Sequence, residues 1–129
     1  MPEPIVILDS SEIHVGKLDE LKAAMEGLAR FVEDNEPRPI AYHVYLSDDP
    51  TRVTVLQIHP DSASAEFHMD VAASAFSGFA ELLRLLHIDV YGTPSDALLE
   101  RLRAKARMLG GATLAVHGLH AGFTRVGER

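Results

Sequence analysis

Two histidines, His59 and His68, carry most of the reactive chemistry this chain offers. They lie in the run V-T-V-L-Q-I-H-P-D-S-A-S-A-E-F-H-M-D-V-A-A-S-A-F, residues 53–76. His59 closes an alternating segment on the same side as Gln57, and Pro60 and Asp61 stop that segment. The helix that follows places His68 on one line with Ser64, Ala72 and Phe76. Ala65, Phe67 and Val71 make its surroundings apolar. Desolvation favours the neutral form of such an imidazole, and neutral imidazole is a general base near pH 7. The chemistry indicated is proton abstraction, with His68 as base and His59 and Gln57 orienting it or the substrate. The competing reading makes His68 a structural histidine, bonded to a backbone carbonyl or a strand side chain, and His59 a polar strand end.

Other side chains are candidates for the pocket. His43 and Tyr45 share one face of a strand and Tyr42 takes the other. One set lines a pocket under the helices and the other an interface, and parity alone does not assign them. Tyrosine hydroxyls suit a phenolic ligand, although packing is the alternative role. Phe76 and Phe79 are expected to wall an apolar, water-excluding pocket. Seven histidines raise the question of a metal. No H-x-x-x-H or H-E-x-x-H pair exists, and His117 and His120 would point to opposite faces of a strand. A three-histidine site requires His43, His59 and His68 to converge, so the expectation is no metal and no other cofactor. G-x-S-x-G, P-loop and G-x-G-x-x-G motifs are missing from the sequence, which leaves acyl hydrolysis and nucleotide binding without support.

These residues must be positioned by a small set of elements. Ile5-Val-Ile-Leu8 begins a strand that continues to Ile13. Residues 17–36 form an amphipathic helix, because Leu18, Leu21, Met25, Leu28 and Val32 recur at helical spacing and Pro37 and Pro39 end the pattern. Strands at 40–46 and 52–59 flank the turn Ser47-Asp-Asp-Pro-Thr51 and make a hairpin. Asp61 or Ser62 caps the next helix, which is expected to run to about Ala75 and break at Ser77-Gly78. A short helical piece at 79–86 and a strand at 87–91 follow. Ser95 or Asp96 caps a last helix with Leu98, Leu99, Leu102, Ala106 and Leu109 inward, stopped by Gly110-Gly111. Residues 112–126 read as extended. The first 94 residues thus give an α+β, ferredoxin-like βαββαβ domain with an antiparallel sheet, and residues 95–129 a helix–strand extension of it. Neither face of the sheet reads as solvated, and helices cover only one. The C-terminal strand supplies part of the second cover, or a second subunit supplies it, as two sheets packed face to face.

Composition sets further bounds. A chain of 129 residues makes one domain with a real core. It has no cysteine, hence no disulfide, thiolate metal site or cysteine nucleophile. The net charge of −7 argues against nucleic acid as a partner. Residues 1–94 hold 16 acids against 6 bases, and residues 95–129 hold 3 against 6, with Arg101, Arg103, Lys105 and Arg107 crowding one helix. That helix reads as a solvated face, or else as a surface that docks an acidic body such as a second copy. No apolar run is long enough for a membrane span, and M-P-E-P has no signal-peptide character. A cytoplasmic location is the expectation.

The organisation resembles the dimeric α/β barrel superfamily, and within it the antibiotic biosynthesis monooxygenase-like domains. The matching features span roughly residues 4–94. They are a first strand running to Gly16-Lys17, E-P at Glu36-Pro37, Tyr42, the D-D turn at Asp48-Asp49, S-x-S-x-x-x-H at Ser62, Ser64 and His68, Phe76 downstream, and Y-G at Tyr91-Gly92. Where members of the family often carry E-x-W at the end of the third strand, this chain has Gln57-Ile58-His59, which reshapes any pocket built on that tryptophan. The resemblance implies a homodimer and a cofactor-independent monooxygenase-like enzyme acting on a small aromatic or quinol-type compound. The alternative is a non-catalytic dimer of the same fold that binds a small ligand or is purely structural.

Overall fold

The computed structural model describes residues 3–125. The order is β1 (Ile5–Ile13), α1 (Leu18–Asn35), β2 (Ala41–Leu46), β3 (Arg52–His59), α2 (Ser62–Phe79), β4 (Leu83–Tyr91), α3 (Asp96–Met108) and β5 (Thr113–His117). The sheet runs β2-β3-β1-β4-β5, antiparallel except for the parallel β4–β5 pair at the edge. The expected ferredoxin-like α+β order with a C-terminal helix and strand is therefore present.

Alternation along the strands builds two unlike faces. Ile5, Ile7, Asp9, Ser11 and Ile13 of β1 are buried, as are Val53, Val55, Gln57 and His59 of β3. This face carries the three helices. Leu21, Met25 and Val32 of α1, Ala65, Met69, Ala72, Phe76 and Phe79 of α2, and Leu98, Leu102 and Ala106 of α3 close over it. The opposite face, with Val6, Leu8, Leu56 and Ile58, stays only half-covered. β5 extends the sheet at its edge and does not lie across that face, so the C-terminal strand is not the second cover.

Helix starts follow the expected chemistry. The Asp61 side chain accepts a hydrogen bond from the Ser64 backbone N–H at 2.9 Å, and Ser95 does the same for Leu98 at 3.1 Å. Three expectations fail. Helix α2 does not break at Ser77-Gly78 but continues to Phe79, and residues 83–86 belong to β4, not to a helical piece. The segment L-L-R-L-L imitates helical spacing because β4 contains a bulge. Ser10 pairs with His87 and Ser11 with Leu85, which leaves Leu86 as the extra residue. The bulge resets the alternation, so that Leu85 and Ile88 are both buried. The third difference lies after the last helix, where only Thr113–His117 is a strand and residues 118–125 have no regular structure.

Candidate functional site

The end of α1 makes the site's first polar pair. Pro37 disfavours helical backbone at the residue before it, and Glu36 is extended, with φ −124° and ψ 102°. Its carboxylate turns inward and is 4% exposed. There it meets His68, which α2 holds on its buried side at 1% exposure. The His68 Nδ1–H donates to both Glu36 oxygens, at 3.0 and 2.9 Å. A carboxylate only accepts, so this pair fixes the tautomer and leaves Nε2 with its lone pair in the neutral ring. His68 is thus bonded to a side chain from another element and not to backbone.

His59 has a different environment. Its Nε2–H donates to Gln57 Oε1 at 2.9 Å, and its Nδ1 accepts from the Ser64 hydroxyl at 2.8 Å. Both ring nitrogens are occupied and the residue is fully buried. Burial, followed by the neighbouring His68, lowers its pKa to about 4, against the opposing pull of Asp61. The ring centroids of His59 and His68 are 5.9 Å apart. His59 and Gln57 therefore brace the helix and the second histidine. Expected as a catalytic residue, His59 has no free nitrogen to offer, and Gln57, expected to bind substrate, is committed to His59.

Tyr42 links this cluster to a cavity. Its ring is 5.5 Å from that of His68, tilted by 55°. It also lines a cavity of about 40 Å³ between sheet and helices, together with Asp9, Ser11, Phe76, Phe79 and Lys105. Burial, then the carboxylates of Asp9 and Glu36, push the Tyr42 hydroxyl pKa well up, so it is a proton donor throughout the ordinary pH range. Across the cavity Lys105 Nζ donates to Asp9 Oδ2 at 2.5 Å, and the same ammonium lies 4.7 Å above the Phe76 ring. Phe76 and Phe79 line this cavity.

His43 and Tyr45, expected to bind substrate, belong to the uncovered face. They are exposed and hydrogen-bonded to each other at 3.1 Å. Strand parity separates them from Tyr42, so the three-histidine convergence of His43, His59 and His68 does not form. Among the described residues no three His, Asp or Glu side chains gather as a metal site would require.

Four polar residues of the site escaped the sequence reading. Asp9 and Ser11 sit at the even spacing that places Ile5, Ile7 and Ile13 inward, and that parity was the available signal. Lys105 falls on the Leu98–Leu102–Leu109 side of its helix, where a basic residue implies a buried acid. Glu36 was visible as part of E-P, but its partner 32 residues away was not.

Solved structures share this fold. MupZ from Pseudomonas fluorescens superposes with a TM-score of 0.74 at 17% identity over 95% of both chains, so the likeness takes in α3 and β5. A proposed antibiotic biosynthesis monooxygenase from Bacteroides thetaiotaomicron gives 0.57 at 21% identity, over 64% of this chain and 85% of that one. The chain has the fold of the antibiotic biosynthesis monooxygenase-like proteins. SO0527 from Shewanella oneidensis has this fold too, with a TM-score of 0.63 at 28% identity over 70% of this chain and 91% of that one. No protein-family model matches the sequence, and no curated protein matches it significantly. Among the described residues no helix is long and apolar enough to cross a membrane.

Proposed function

We propose that this chain is a monooxygenase-like enzyme that needs no cofactor and acts on a small aromatic or quinol-type compound by proton abstraction. The observation that carries this reading is the buried His68–Glu36 pair. A carboxylate behind Nδ1–H orients the ring and stabilises the imidazolium that forms when Nε2 takes a proton. Tyr42, whose ring is 5.5 Å from that of His68 and which lines the cavity, relays the proton: its hydroxyl gives its own hydrogen to Nε2 and takes the substrate's. A phenol provides all the electrons the reaction needs. Its anion adds O₂ at the ring carbon para to the oxygen, and the resulting peroxide loses its O–O bond and the carbon-bound hydrogen as water. Phenol and O₂ thus become quinone and water. The apolar walls of Phe76, Phe79 and Val55 exclude bulk water from the phenol oxygen and its proton.

Oxygen uptake with a panel of quinols and polyketide-type phenols tests the reading. His68→Ala is expected to lower turnover by about a hundredfold, the usual contribution of a positioned base. Uptake unchanged by that substitution removes His68 as the base.

One observation favours the non-catalytic alternative. Neither His68 nor His59 lines this cavity, whereas Tyr42, 5.5 Å from the His68 ring, does. On that reading the histidines are structural and the cavity only binds. Absence of oxygen uptake across the panel, with ligand binding retained, selects it.

We further propose that two copies assemble through the open sheet face and that the protein works in the cytoplasm. The apolar side chains of Val6, Leu8, Leu56 and Ile58 on a half-covered face support the assembly.

A further inference from the structure

The cavity beneath the helices contains an unmet hydrogen-bond acceptor. Asp9 is 4% exposed, and Lys105 occupies its Oδ2. Its other oxygen, Oδ1, is buried with no hydrogen-bond partner among the described residues. A buried carboxylate oxygen without a donor is costly, because desolvation removes its water and nothing replaces it. The cavity it lines holds about 40 Å³, room for a head group but not for a ring.

A larger apolar groove adjoins this cavity through two lining residues they share. Between α1 and α2 lies an apolar channel of about 430 Å³, lined by Ala24, Gly27, Phe31, Val71, Ala75 and Gly78 among others. Leu28 and Phe79 line both the groove and the cavity. Two helix-interior residues that line the groove, both exposed, are glycine. A Cβ built on Gly27 or Gly78 meets nothing within 4 Å, and neither residue has positive φ. No close approach or turn requires glycine at either place, although each costs its helix about 1 kcal/mol relative to alanine. What the two glycines provide is open space.

We infer that the α1–α2 groove and the Asp9 cavity form one binding site for a single-headed apolar molecule, whose neutral hydroxyl donates to Asp9 Oδ1. The body lies in the groove and the head passes between Leu28 and Phe79. The charges select the head. A carboxylate would face the Asp9 oxygen, and an ammonium would face Lys105. A neutral O–H satisfies Oδ1 without disturbing the pair, and Ser11 and Tyr42 also line the cavity. This assignment rests on the proposed enzymatic reading only in naming the molecule a substrate, and binding is measured without turnover.

The test compares 4-hexylphenol with 4-hexylanisole, which has the same body and no donor, by calorimetry. The phenol is expected to bind at one site about tenfold or more tighter than the ether, the value of a hydrogen bond to a charged group. Asp9→Leu with Lys105→Met replaces both partners by apolar groups, which keeps a buried pair's fold intact. That double variant should keep its Tm and bind the two compounds equally. Gly27→Leu with Gly78→Leu should raise Tm and abolish binding of both. Equal binding of the two compounds to the wild type overturns the inference. So does a phenol preference that survives loss of Asp9, full affinity in the filled groove, or no binding at all. His68→Ala is expected to bind normally. Tight, donor-selective binding without oxygen uptake removes the enzymatic reading and leaves this site standing. Oxygen uptake unaffected by the Asp9→Leu/Lys105→Met variant removes this site and leaves that reading.

Discussion

Residue by residue, the polar groups under the helices have separate tasks, and substitutions should divide them. Glu36→Gln keeps an acceptor for His68 Nδ1–H but removes the charge. Turnover is expected to fall about tenfold or more with little change in Tm. Glu36→Ala leaves that buried N–H unsatisfied and should also cost about 1–3 kcal/mol of stability. Wild-type oxygen uptake in Glu36→Gln would show that the carboxylate serves packing alone. His59 makes a different prediction, about pH. Its folded pKa is lowered to about 4 from 6.5. Between those values the unfolded chain binds a proton that the folded protein does not, so stability is fully present above pH 6.5 and is lost as pH falls toward 4. The shift corresponds to about 3 kcal/mol. Denaturant unfolding of wild type and His59→Gln from pH 7 to 4 checks this. The variant's acid limb should be shallower, and identical limbs would count against a neutral buried His59. That His59 and His68 lie close together was legible from a strand end and a helix face joined by Pro60-Asp61. Their partners were not. Glu36 and Ser64 bond through the folded arrangement of separate elements, which no local spacing records.

Among the elements, the sequence signalled caps and stripes well and breaks poorly. Asp61 and Ser95 were readable as caps because a side-chain acceptor three residues ahead of an apolar pattern has few other uses. Ser77-Gly78 was read as a break because glycine disfavours helix, yet packing of Phe76 and Phe79 on the sheet overrides that preference. The bulge at Leu86 hid the start of β4, since one inserted residue turns strand alternation into a pattern of helical appearance. The overridden preference has a measurable consequence. Gly78→Ala should raise stability by about 0.5–1 kcal/mol, because a Cβ there meets no atom. A loss of stability in thermal unfolding would mean that the position needs glycine for a reason the packing does not show. Helix α3 also has a clearer meaning than its charge suggested. Arg101 pairs with Asp70 on α2, at 2.7 Å through Nε, and Lys105 reaches Asp9 in the core. Two of its four basic residues are thus used to fasten the extension to the domain and to close the cavity.

At the scale of the whole molecule the unresolved demand is the second face of the sheet. Helices, α3 included, sit on one side, and β5 lengthens the sheet without covering the other. Val6, Leu8, Leu56 and Ile58 therefore form an apolar centre that water reaches in the isolated chain. Exposed Tyr45 and the stacked Tyr91–His117 pair, with ring centroids 4.5 Å apart, lie towards its margins. An apolar centre with a polar and aromatic rim is the composition expected of an interface. The chain's net charge of −7 works against self-association, so apolar burial must outweigh repulsion for two sheets to stack. That balance makes a specific prediction. Light scattering should give a mass twice that of the chain, and added salt should strengthen the association by screening like charges. Leu56→Asp places a charge in the middle of the face and should yield a folded monomer, with its far-ultraviolet dichroism unchanged. The helix-side cavity lies on the other side of the sheet, so the monomer should still bind a hydroxyl-bearing ligand at Asp9. A wild type that remains monomeric at every concentration would rule out the stacked assembly. A Leu56→Asp dimer would move the interface to another surface.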